Sequence, residues 1–198
     1  MAASTLTVPQ PEMPMSLHLG GRVGMWCLIV AESAIFTIFV VAYLYYAGKS
    51  ITGPTPREVL EVPIFISICL FSSSFTIVMG EKAIDRGNIK LFTVWLFATI
   101  VLGAIFVSGS LHEWYRLIYE RGVTISSSLF GTTFYSLVGL HLSHVIVGLT
   151  MLSMVLIFAL LGSVKQEHAE RIGVLALYWH FVDTVWVIVL SVVYFIAR

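Results

Sequence analysis

The chain has 198 residues, of which 58% are hydrophobic and 11% charged, and its mean hydropathy is +0.94. A soluble protein carries about 25% charged residues, so this composition argues against a water-soluble globular domain and predicts a membrane protein. Eleven Lys and Arg residues balance eleven Asp and Glu residues, and no basic run suggests that the chain binds nucleic acid.

The first 21 residues, MAASTLTVPQPEMPMSLHLGG, are broken by prolines and contain no Lys or Arg. A secretory signal requires a basic start followed by an apolar stretch. We therefore interpret residues 1–21 as a flexible N-terminal tail, and residues 22–198 as one transmembrane domain.

Long apolar runs follow the tail, and about 20 apolar residues in a helix are needed to cross a bilayer. The fourth run, 125–164, has the length of two spans, but its middle contains no proline or polar cluster, so we expect one long tilted helix. The sequence predicts an all-α membrane protein with five transmembrane helices at about 24–46, 62–80, 91–111, 129–160 and 172–197.

Short polar segments are predicted to connect these helices, among them EKAIDRGNIK, HEWYRLIYERGV and KQEHAER. If the N-terminus is cytoplasmic, six Lys and Arg residues lie on the cytoplasmic side and five lie outside. This small excess agrees with the positive-inside rule. We therefore expect a cytoplasmic N-terminus and a periplasmic C-terminus.

Ionisable residues within the apolar runs are the strongest candidates for a function. A charged side chain at the centre of a transmembrane helix costs roughly 2.5–3.5 kcal/mol on insertion scales, so such groups should face other helices or water. Counting ~1.5 Å per residue places them all in one layer, about 8–16 Å from the cytoplasmic face. The candidates are Glu32, His141, His144, His180 and Asp183.

Three interpretations of this layer follow from the residue types. It could be a metal or haem centre, a proton relay or transported-ion site, or a polar cluster that joins helices or holds a lipid headgroup. The paired Glu-x-x-His motifs of di-iron bundles are absent from the sequence, and the HxxH of the fourth span lacks the glutamate and spacing of a zinc protease. Cys27 and Cys69 lie in apolar runs without metal-ligand spacing, and we expect both to be buried.

Several longer segments carry a family resemblance. HEWYRLIYERG is followed by GTTFYSLVGLHLSHVIVG, and the last span contains YWHFVDTVWVIVLSVVY. From about Gly24 to the end, the chain resembles subunit III of the haem–copper respiratory oxidases in its five-helix bacterial form. Glu32, within LIVAESAIFTIF, occupies the position of the buried carbodiimide-reactive glutamate of that family.

Several positions depart from the pattern of the family, among them Leu140 and Leu142, which stand in place of the Phe and the second Gly of its G-F-H-G segment. Ser110 stands where the family often has a glutamine, and Gly173 stands where many members carry a glutamate. The subtype therefore stays open between cytochrome c oxidase, quinol oxidase and the accessory proteins of nitric oxide reductase systems.

The resemblance implies an accessory subunit of an aerobic respiratory oxidase in the bacterial inner membrane. The haems and copper would belong to partner subunits, and this chain would have no catalytic residue, metal or redox cofactor. It would pack on subunit I, in one complex with subunit II, and would support proton uptake and resistance to inactivation during turnover. Membership of a larger supercomplex is left open.

The candidate residues can be interpreted in the light of this resemblance. We expect Glu32, His141, His144, His180 and Asp183 to line a polar cleft that holds phospholipid and tunes the proton environment beside the catalytic subunit. Two alternatives belong to other functional classes: an independent ion transporter, and a membrane metalloenzyme or bis-histidine haem protein.

Overall fold

The structure is a computed structural model that describes residues 15–47, Lys49 and residues 62–196, with side chains described from Gly20 onward. The helices are α1 (Met15–Tyr46), α2 (Ile64–Asp85), α3 (Ile89–Tyr119), α4 (Leu129–Leu160) and α5 (Ala169–Ser191). A 3₁₀ turn, Gln166–His168, precedes α5, and a π-helical turn, Val192–Ile196, follows it. Each of the five helical segments is long and apolar enough to cross a membrane. The predicted fold class is therefore confirmed.

The fourth apolar run forms one helix, as predicted. Helix α4 continues for 32 residues without interruption. Its first turn is capped by the side chain of Ser128, which accepts a hydrogen bond from the backbone N–H of Gly131 at 3.0 Å. A serine in this position satisfies one of the backbone donors that a helix start leaves without a partner.

The predicted connections after the second and third spans are wrong in extent, because these helices run beyond their apolar parts. Helix α3 continues to Tyr119, so most of HEWYRLIYERGV is helical, and α2 continues to Asp85. Hydropathy indicates where the chain leaves the hydrocarbon core of the membrane. A helix ends or begins instead where the local backbone conformation or a capping side chain requires it. Both features separate α2 from α3, because Gly87 adopts a positive φ of 72° and the Asn88 side chain caps α3.

The start of α1 also differs from the predicted boundary of the tail. Helix α1 begins at Met15, so residues 15–21 are helical. Residues 1–14 of the predicted tail lie outside the described residues. Cys69 is buried as expected, but Cys27 is exposed on α1, contrary to the prediction. An apolar side chain on a transmembrane helix can face lipid, so hydropathy alone does not require its burial by protein.

Helix α5 lies at the centre of the packing, in contact with α1, α2 and α4. Its Trp179 is fully buried, and the indole Nε1 donates a hydrogen bond to Ser73 Oγ of α2 at 3.0 Å. The same ring lies against Gly103 of α3 and Gly148 of α4. Further along α5, Trp186 Nε1 donates to Ser67 Oγ of α2 at 3.1 Å. These contacts fix how α5 is rotated about its axis, and so determine which of its polar side chains face each neighbour.

Candidate functional site between the helices

Glu32 of α1 and His144 of α4 form a direct polar contact. His144 Nε2 lies 3.1 Å from Glu32 Oε2, and both side chains are largely enclosed by the bundle. His144 Nδ1 lies 2.8 Å from the carbonyl oxygen of Leu140. Because a carbonyl can only accept, Nδ1 carries a hydrogen, and a single proton then lies between His144 Nε2 and Glu32 Oε2.

A second polar group joins α2 to α5. Ser74 Oγ donates a short hydrogen bond to Asp183 Oδ2 and also lies 3.3 Å from His180 Nδ1. Ser74 Oγ thus contacts both ionisable residues of α5. The other oxygen of the buried carboxyl, Asp183 Oδ1, has no hydrogen-bond partner among the described residues.

His141 lies apart from both polar groups in an aromatic environment. Its side chain is only 1% exposed, and neither ring nitrogen has a hydrogen-bond partner within the described parts of the chain. The imidazole stacks on Trp186, with ring centroids 5.0 Å apart, and meets Phe106 edge-on at 5.9 Å. It therefore packs as an aromatic side chain.

The predicted layer is thus divided into three environments. Glu32 contacts His144, His180 and Asp183 share Ser74, and His141 is separate. Phe36 of α1 adjoins the first environment, with its ring centroid 5.0 Å from that of His144, and it also packs edge-on against Phe181 of α5 at 6.3 Å. Although His141 and His144 are three residues apart, only His144 reaches α1.

Three polar residues that form hydrogen bonds between helices were not among the candidates predicted from the sequence. Ser73 and Ser74 looked like small residues that permit close helix packing, but they bind Trp179 and Asp183. Glu113 looked like a solvated residue at the end of a span, but it accepts a hydrogen bond from Tyr194 Oη at 3.3 Å. The run of three serines, Ser72–Ser74, within an apolar helix was the available signal. It did not show which hydroxyl faces α5.

No group of three or more His, Cys, Asp or Glu side chains in the described ranges is arranged to hold a metal ion. The two polar groups offer one imidazole and one carboxyl each. Each group is therefore smaller than the set of three or four protein ligands that a metal ion usually requires.

Comparison with known proteins identifies the family. The model of the family described as cytochrome c oxidase subunit III matches residues 10–198. The chain belongs to the cytochrome c oxidase subunit III family. This confirms the family resemblance that the sequence motifs indicated, and with five membrane-spanning helices the chain is a multi-pass membrane protein.

Individual members of the family are similar over most of their length. The chain is 32% identical over 189 residues to cytochrome c oxidase subunit 3 of Alkalihalophilus pseudofirmus. This match covers 93% of this chain and 92% of that relative. It is also 32% identical over 189 residues to cytochrome c oxidase subunit 3 of Bacillus subtilis, and this match covers 93% of this chain and 91% of that relative. Quinol oxidase subunit 3 of Bacillus subtilis is 30% identical over 173 residues, and this match covers 86% of this chain and 84% of that relative.

Proposed function

We propose that this chain is the accessory, non-redox subunit III of a proton-pumping haem–copper terminal oxidase in the bacterial inner membrane. It packs on subunit I, in one complex with subunit II, and its N-terminus is cytoplasmic. The observation that carries the proposal is the match of residues 10–198 to the subunit III family. Catalysis belongs to the complex, and the haems and copper are held by the partner subunits.

Cytochrome c is the proposed electron donor of the complex. Two relatives named cytochrome c oxidase subunit 3 are 32% identical to this chain over 189 residues, whereas a quinol oxidase subunit 3 is 30% identical over 173 residues. The test is purification of the native complex through a tag on this chain, followed by identification of its subunit II. We expect a subunit II with copper ligands, and a subunit II without them would contradict this choice of donor.

We propose that the five membrane-embedded ionisable residues support the oxidase without taking part in its redox chemistry. Glu32 and His144 hold a proton between α1 and α4, and His180 and Asp183 join α5 to α2 through Ser74. Ionisable groups within a membrane mark proton or substrate environments and avoid contact with lipid tails. The polar groups therefore hold phospholipid headgroups and tune the proton environment beside the catalytic subunit, while His141 packs behind them.

Replacing Glu32 with Gln tests this role. The amide of E32Q can still donate a hydrogen bond to His144 Nε2, but it cannot give up or take up a proton. We expect normal assembly, normal haem content and normal initial oxygen reduction, with altered phospholipid retention or faster loss of activity during turnover.

A matched control for this experiment is Ser33→Ala. Ser33 is the next residue on α1 and is exposed, and its hydroxyl donates a hydrogen bond to the carbonyl of Ile29 in its own helix at 2.7 Å. S33A should behave as the unmodified complex does. Loss of haem from the E32Q complex would contradict the proposed role, as would lipid content and turnover stability equal to those of S33A.

A further inference from the structure

A cavity of about 350 Å³ lies between the start of α2 and the end of α3, and we call it the α2–α3 cavity. Its apolar wall is the first turn of α2, where Ile64 is 63% exposed and Phe65 is 71% exposed. Its polar wall is one face of α3, because Gly109, Glu113 and Arg116 follow one another at spacings of four and three residues. The cavity thus presents apolar and charged surfaces side by side.

The α2–α3 cavity lies at the depth of lipid headgroups. Tyr115 and Tyr119, on the same turns of α3, are 56% and 73% exposed, and tyrosines of membrane helices are enriched at the interface with water. Ser74, which belongs to the second polar group, lies about 15 Å further along α2 than Ile64. The cavity is therefore separate from the membrane-embedded layer to which the proposed function assigns phospholipid, and an occupant here goes beyond that function.

Two arginines bring positive charge to the α2–α3 cavity. Arg116 and Arg121 both line it. Arg116 Nε lies 3.3 Å from Glu120 Oε2, and the Arg116 side chain is 42% exposed. A guanidinium group has five N–H donors, so it can keep this partner and still bind a phosphate oxygen. Its planar fork of donors also matches the geometry of a phosphate group.

Glu113 brings a negative charge to the same cavity. Its Oε1 accepts a hydrogen bond from Tyr194 Oη at 3.3 Å, and Tyr194 is only 2% exposed. A buried tyrosine of α5 therefore orients this half-buried carboxylate. An ionised carboxylate has about four acceptor sites, so the contact with Tyr194 leaves others that can bind an ammonium group.

We infer that the α2–α3 cavity binds the headgroup of a zwitterionic aminophospholipid, with its phosphate on Arg116 and Arg121 and its ammonium group on Glu113. The acyl chains continue past Ile64 and Phe65 into the bilayer. Phosphatidylethanolamine satisfies both signs of charge, whereas phosphatidylglycerol has no cation for Glu113, and a free phosphate has no chain to cover the apolar wall. Given the cytoplasmic N-terminus proposed above, this lipid belongs to the outer leaflet.

Lipid retention by the native complex tests the phosphate contact. The complex is purified through a tag on this chain, stripped of lipid in detergent, and titrated with equal amounts of palmitoyl-oleoyl phosphatidylethanolamine and phosphatidylglycerol. Native mass spectrometry counts the molecules of each lipid that are retained. The matched control for Arg121→Gln is Arg86→Gln, which removes an exposed arginine charge at the opposite end of the bundle. We expect R121Q to need about fivefold more phosphatidylethanolamine than R86Q for the same retained number.

Glu113→Gln tests the ammonium contact. The amide oxygen of E113Q can still accept the hydrogen bond from Tyr194, so the side chain keeps its orientation and loses only its charge. The site in E113Q should retain phosphatidylglycerol as readily as phosphatidylethanolamine, whereas the unmodified site prefers phosphatidylethanolamine. A residue with a merely structural role would change the retention of both lipids equally, and that result would overturn the inference.

Three further outcomes would also overturn it. The first is equal retention of phosphatidylethanolamine by R121Q and R86Q, and the second is that R121Q loses phosphatidylglycerol instead. The third is that glycerophosphoethanolamine, which has the headgroup without acyl chains, displaces the lipid at the same concentration as the lipid itself. Failure of the proposed function is a different result, because the tagged chain would then purify without an oxidase while its retained lipids could still be counted.

Discussion

The two histidines of α4 show how differently two identical side chains act within one membrane layer. His144 reaches across to Glu32, with 3.1 Å between Nε2 and Oε2, whereas His141 lies among Phe106 and Trp186 without a hydrogen bond among the described residues. A buried polar group whose partner is removed carries the full desolvation penalty, whereas an apolar replacement for an unpartnered group loses no hydrogen bond. The two histidines should therefore respond in opposite ways to the same substitution.

Replacing each histidine with phenylalanine tests this difference. H141F keeps the stacking on Trp186, so the free energy of unfolding should stay the same or rise. H144F leaves the carboxyl of Glu32 without its partner, and the loss should be about 1–3 kcal/mol. Thermal unfolding of the two variants in the same detergent measures both effects. A larger loss in H141F than in H144F would show that the two roles have been assigned the wrong way round.

The sequence indicated which ionisable residues lie within the apolar runs, but it did not indicate which of them contact each other. The apolar context of Glu32 and Asp183 showed that both carboxyls lie within the membrane, where a charge requires a protein or water environment. The partner of Glu32 depends on which helix lies beside α1 and on how that helix is rotated. Contacts such as that of Trp179 with Ser73 set that rotation, and hydropathy does not report it.

At the scale of the helices, Trp179 determines how closely α3 and α4 approach α5. A Cβ atom added at Gly148 would lie 2.9 Å from Cε3 of the Trp179 ring, and one added at Gly103 would lie 2.9 Å from its Cη2. Both distances are shorter than ordinary van der Waals contact. The indole fills the space that the two glycines leave, and it is held there by its hydrogen bond to Ser73.

Gly148→Ala should therefore destabilise the bundle, despite the higher helix propensity of alanine. Displacing a fully packed indole costs about 1–3 kcal/mol. Gly24→Ala on α1 is the matched control, because a Cβ atom there would have nothing within 4 Å, and its effect should be neutral or slightly stabilising. The free energy of unfolding of both variants, measured in the same detergent, gives the comparison. Equal stability of G148A and G24A would argue against tight packing at Trp179.

The helices themselves were largely predictable, whereas their ends were not. The number of spans and the single long α4 followed from the length of the apolar runs and the lack of a break in the fourth. The extension of α3 to Tyr119 was missed, because a polar segment outside the membrane can stay helical when it contains no glycine or proline.

At the scale of the whole molecule, the chain is an apolar bundle in which paired polar groups connect α1 to α4 and α2 to α5. The contact between Glu32 and His144 is direct, whereas His180 and Asp183 meet through Ser74. The proposed function assigns to this bundle the role of stabilising the environment of a redox centre that a partner subunit holds.

Removing the gene for this chain and purifying the remaining oxidase tests this account most directly. The measurement is the haem and copper content of the depleted complex, taken together with its rate of oxygen reduction over many turnovers. The account predicts full haem and copper content and a normal initial rate, followed by progressive inactivation that the intact complex does not undergo. Loss of haem or copper in proportion to the missing chain would contradict it.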